Sequence, residues 1–131
     1  MTEVALHVTA LYAGLLGLMS LGLSMQAGRL RGATKISVGD GGDPDLLLAM
    51  RRHSNFVEYV PLALILLGVL EINGVGATPL HVLGAGLVVA RLCHAVSLRG
   101  DTIQGPGRLV GALGTMLITL VASVWAIVTF F

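Results

Sequence analysis

The chain is 131 residues long, 55% hydrophobic and only 11% charged, with a net charge of +1. A soluble domain carries about 25% charged residues, so burial or lipid must account for the deficit, and so small a net charge leaves no electrostatic footprint for nucleic acid. A single cysteine, Cys93, excludes an internal disulfide, and no Cys/His spacing resembles a metal site.

Four segments are apolar enough to cross a bilayer, which takes about 20 residues of helix. The first, from Val4 to Gly28, contains no Asp, Glu, Lys or Arg. Small residues four apart, Ala10 with Gly14 and Ala13 with Gly17, would let another helix approach. The segment does not read as a secretory signal, because Met1–His7 has an acidic residue and no basic one. Loop 29–43 is rich in glycine and charge, and Gly39-Asp40-Gly41-Gly42 reads as a turn. The second helix is expected over 44–72, with Asp43 as N-cap and Pro44 at its first position. At about 43 Å it exceeds the hydrocarbon core, so its first two turns project among the headgroups. Asn73-Gly74 and Gly76 break the chain before a third helix over 79–98. After a short connection, the fourth helix is expected over 107–130, with Gly107 and Gly111 as a close-approach pair. Residues 109–131 are uncharged and have no polar face to show to water, which argues against a soluble bundle. These elements make residues 1–131 a single all-α transmembrane domain, an up-down-up-down four-helix bundle.

Charge along the chain predicts sidedness. Arg29, Arg31, Lys35, Arg51 and Arg52 flank the first long loop, and Arg99 and Arg108 flank the last. The N-terminus and the loop near Glu71–Thr78 have no Lys or Arg. The positive-inside rule places loops 29–43 and 99–107 in the cytoplasm and both termini outside.

Ionisable residues inside a membrane are costly and usually functional. Arg51, Asn55 and Glu58 fall at i, i+4 and i+7 on the second helix and share a face. On the third helix, Arg91 and His94 share a face at i and i+3. By helical rise, Glu58 and Arg91 both lie about 10 Å from the cytoplasmic end, where they match in depth and oppose in charge. Simpler readings stay open: Arg51, Arg52 and Arg108 as headgroup anchors, Glu58 with Arg91 as a structural ion pair, His53 as a headgroup-level residue, and Tyr59 as packing. Convergence favours a cationic, hydrogen-bonding cavity suited to a small polyanionic ligand with a peptide-like backbone. Cys93 reads as an inert helix cysteine.

The stretch Arg51-Arg52-His53-Ser54-Asn55-Phe56-Val57-Glu58-Tyr59-Val60-Pro61 resembles the signature of the MAPEG family, membrane-associated proteins of eicosanoid and glutathione metabolism. The matching positions are Arg51, Asn55, Glu58 and Pro61, and Tyr59 is similar to the leukotriene C4 synthase branch. Ala90-Arg91-Leu92-Cys93-His94 resembles the Arg-x-x-His segment of the prostaglandin E synthase branch. The Ser37–Gly42 loop resembles uncharacterised bacterial members, which implies a bacterial inner membrane. The resemblance implies a homotrimer binding glutathione as co-substrate between subunits. By motif match, Arg51, Asn55, Glu58 and Tyr59 would hold glutathione, His94 would line the same site, and Arg108 would activate the sulfur. Partners would be membrane lipids and a lipophilic electrophile. One turn after His94, where catalytic branches usually carry tyrosine, this chain has Leu98.

Three functions compete. The first is a glutathione-dependent transferase or peroxidase, and the second a non-catalytic lipid- or glutathione-binding scaffold. The third is an ion or proton path through Glu58, Arg91 and His94. Asn55, Glu58 and Arg108 together favour thiol binding.

Overall fold

A computed structural model describes residues 5–97 and 105–131, which form four helices: α1 (His7–Thr34), α2 (Pro44–Ile72), α3 (Ala77–Ser97) and α4 (Pro106–Val128). Val4, Leu98 and residues 99–104 of the expected cytoplasmic loop lie outside the described residues. All four helices are long and apolar enough to cross a membrane.

The first helix starts later and ends later than its apolar run. Leu6, at its N-cap position, offers no side-chain cap. The cap comes instead from the far end of α2, where Glu71 Oε1 accepts from Val8 N and Oε2 from Thr9 N, each at 2.8 Å. A carboxylate there satisfies two of the orphan N–H groups and complements the helix dipole. At the other end α1 passes Gly28 and continues to Thr34, and Lys35 ends it in the left-handed region at φ 59°. Arg31, read from the sequence only as one of the basic residues flanking the loop, ties this end down. Its guanidinium donates to Ile36 O (3.3 Å), Gly39 O (2.9 Å) and Met50 Sδ (3.3 Å).

The start of α2 follows from its local sequence. Asp43 Oδ1 accepts from Leu46 N at 2.8 Å and Pro44 occupies the first turn. Before it, Gly42 N donates to Asp40 Oδ1 at 3.0 Å, and Gly39, Gly41 and Gly42 all take positive φ. After α2, Gly74 turns at φ 84°, and Asn73 Nδ2 reaches Thr129 Oγ1 at 2.8 Å. The third helix begins two residues before Pro79. A proline in the first turn is tolerated there, because its missing N–H would have had no helical partner.

The start of α1 meets the end of α2 through Glu71, and the end of α3 meets the start of α4 at Gly107 and Gly111. The second helix packs on all three others, while α1 and α4 occupy opposite corners and do not meet among the described residues. One apolar core joins Leu16, Phe56, Val60, Ala63 and Leu87, and a second joins Val8, Tyr12, Leu67, Leu70, Leu80, Leu83 and Ala122.

The packing of α4 is inverted relative to a soluble helix. Its buried residues are the small Gly111, Thr115 and Ala122, while Leu113, Leu117, Leu120, Val124 and Ile127 face outward. Small contacts inside and large apolar side chains outside suit a helix surrounded by lipid, where van der Waals packing rather than water exclusion drives association. At Gly111 a Cβ would lie 2.5 Å from Ala90 O and 2.7 Å from His94 Cβ. The small-residue pairs on α1 serve no such purpose among the described residues, since Gly14 and Gly17 have open space around them.

Candidate functional site

The polar residues of α2 divide by face. Phe56, Val60, Ala63, Leu67 and Leu70 are buried at spacings of three and four, the stripe that faces the core. Each residue turns a helix by about 100°, which puts Arg51, Asn55 and Glu58 about 100–160° away from Phe56. Arg51 and Glu58 are exposed, Asn55 is half-buried at the edge of the stripe, and Tyr59 is 40% exposed. The chain therefore carries an outward polar stripe on α2 at the level of its own buried polar layer.

Arg91 is the centre of that layer. It is only 1% exposed, and its guanidinium donates to Asn55 Oδ1 at 2.7 Å. It also faces His94 Nδ1 at 3.3 Å and makes a long contact of 3.5 Å to Thr115 Oγ1. Its carbon Cζ lies 5.6 Å from the centroid of the Phe56 ring, within cation–π range. The ion pair of Glu58 with Arg91, one of the readings that their matched depth left open, does not form. Glu58 turns outward while Arg91 turns into the bundle, so equal depth does not bring them together, and Arg91 takes neutral partners.

His94 is 4% exposed and feels the positive charges of Arg91, Arg108 and Arg52, so cations from α2, α3 and α4 converge on it. Tyr59 lies within electrostatic reach of Arg91. Arg108 is half-buried in the first turn of α4, where its backbone N–H donates to Gly105 O at 3.0 Å. Arg52 reaches Gln26 Oε1 at 3.3 Å, which links α2 to α1. Asn55 and His94 are thus brought together through Arg91. Arg51 and Glu58 share the open face of α2, and Arg108 stands at the same end of the bundle.

The family model for the MAPEG family matches residues 9–128, nearly the whole chain. The chain belongs to the MAPEG family. It is 40% identical over 87 residues to the inner membrane protein YecN of Escherichia coli K12, and equally to that of Escherichia coli O6:H1. Each match spans 66% of this chain and 66% of the relative. No solved structure matches.

Family membership agrees with the α2 signature, but the structure adds residues that the motif did not mark. Thr115 carries no signal in sequence, because a threonine in an apolar helix reads as packing. Glu71 stood only at the edge of the loop that lacks Lys and Arg, although its carboxylate caps α1. Arg91 was visible as a charge within an apolar span, but only the tertiary structure supplied its partners.

Proposed function

We propose that this is a glutathione-dependent transferase or peroxidase acting on lipophilic electrophiles at the inner membrane, assembled as a homotrimer. The observation that carries this reading is the stripe of Arg51, Asn55 and Glu58. Arg51 and Glu58 face away from the chain's own core and Asn55 borders it, at the level of the buried Arg91 and His94 and at the same end of the bundle as Arg108. Left in lipid, such a stripe is costly. Between subunits it becomes a polar cleft. Family membership and two relatives that are inner membrane proteins support the setting.

The donor set fits glutathione. Arg51 suits a carboxylate through a charge-assisted contact, Glu58 suits the ammonium group, and Asn55 and Tyr59 suit the peptide groups between. Arg108 acts on the sulfur. A free thiol ionises near about 8.5, and a neighbouring cation raises the fraction of nucleophilic thiolate at neutral pH. Loop 29–43 and the start of α4 face the cytoplasm, where the positive charge lies, so glutathione enters from water and the electrophile from lipid.

A non-catalytic binding protein is the second reading, favoured by Leu98 standing where catalytic branches carry tyrosine. Calorimetric titration of detergent-solubilised protein with reduced glutathione, combined with native mass spectrometry, tests the proposal. Saturable binding by a trimer is expected. A monomer that takes up no glutathione would overturn it.

A further inference from the structure

The buried layer around Arg91 has a polarity. A guanidinium has five N–H donors and no acceptor. The amide atom of Asn55 that faces it at 2.7 Å is therefore the carbonyl oxygen. By the same logic the His94 nitrogen at 3.3 Å, Nδ1, is the one without a proton, which leaves the proton on Nε2. Thr115 donates its own hydroxyl proton to Gly111 O at 2.8 Å, so it too presents a lone pair to Arg91. One buried cation thus occupies acceptors on α2, α3 and α4. Arg91 Nε is itself buried without a partner, so the layer has donors to spare and lacks acceptors.

We infer that Arg91 is a positioning residue that fixes the Asn55 amide with its oxygen inward and its two Nδ2 hydrogens toward the open stripe. The site thereby selects a ligand group that accepts hydrogen bonds, a carboxylate or an amide carbonyl. This rests on reading the α2 stripe as the glutathione face. Asn55 is suited to the task because it is half-buried at the border between core and stripe. A purely structural Arg91 would join three helices in the same way, but the identity of the atom that Asn55 presents outward would then be immaterial to binding.

Asparagine occurs only at positions 55 and 73. Asparagine-selective 15N labelling of the full chain in detergent micelles therefore gives two side-chain amide pairs, and Asn73→Ser assigns them. In the wild type the Asn55 pair should shift when reduced glutathione is added. In Arg91→Lys it should move without ligand, because an ammonium cannot hold three fixed acceptors as a planar fork does. Asn55→Asp keeps an acceptor toward Arg91 but deletes the outward donors. It should unfold no more easily than the wild type yet bind glutathione at least about tenfold more weakly, the loss expected for a hydrogen bond to a charged group. An Asn55→Asp protein that binds as the wild type does would overturn donor selection. An Asn55 pair that does not move in Arg91→Lys would overturn the positioning role. If the wild type ignores glutathione while the Asn55 pair still moves in Arg91→Lys, the positioning role stands and only the choice of glutathione falls.

Discussion

Replacing Glu71 by alanine should loosen the whole start of α1. The carboxylate accepts two backbone hydrogen bonds of 2.8 Å, from Val8 and Thr9, and Leu6 provides no side-chain cap to take over. Loss of an ordinary N-cap costs about 0.5–2 kcal/mol. Here two charged-acceptor bonds are lost together, each worth about 1.5–3 kcal/mol when dry, but Glu71 is only half-buried and water can replace part of the interaction. A net loss of about 2 kcal/mol follows. Glu71→Gln should lose more than half of this, because the amide offers one acceptor and turns a donor toward the second N–H. Thermal unfolding in detergent, followed by circular dichroism, reads the stability. Amide hydrogen exchange at Val8 and Thr9 reads the local effect, since end fraying appears there before global unfolding. If Glu71→Ala leaves both the midpoint and the exchange at Val8 and Thr9 unchanged, the carboxylate does not cap α1 and the reasoning fails.

Gly111→Ala should destabilise the protein by about 1–3 kcal/mol through overpacking, because the new Cβ meets the Ala90 carbonyl at 2.5 Å. Gly28→Ala, with open space around it, should be neutral or stabilising by up to about 1 kcal/mol, and paired unfolding curves check the contrast. Arg51→Ala should weaken glutathione binding by about 1.5–3 kcal/mol as read by calorimetry, and unchanged affinity would leave Arg51 as a headgroup anchor. Bound glutathione should show thiolate ultraviolet absorbance near neutral pH. Arg108→Ala should abolish that signal while most binding survives, and Arg108→Lys should retain part of it; a signal that persists in Arg108→Ala removes Arg108 from the chemistry.

The sequence by itself determined the number and character of the helices and the face of α2 that carries the polar motif. Charge-free runs of helical length have one physical solution in lipid, because every backbone N–H and C=O must be satisfied within its own segment. Asp43 with Pro44 fixed the start of α2 for a similarly local reason, since cap and capped N–H are three residues apart. The face shared by Arg51, Asn55 and Glu58 followed from helical spacing alone. Tertiary structure decided what local spacing cannot encode. The start of α1 depends on a carboxylate 63 positions away, and its end depends on Arg31 turning back into the loop. Depth along a helix suggested that Glu58 and Arg91 would pair, yet depth leaves rotation about the axis free. The packing of α2 against α3 and α4 turned Glu58 out and brought Arg91 onto Asn55, His94 and Thr115. Periodicity tells which residues share a face, but only the mutual packing of the four helices decides which faces meet.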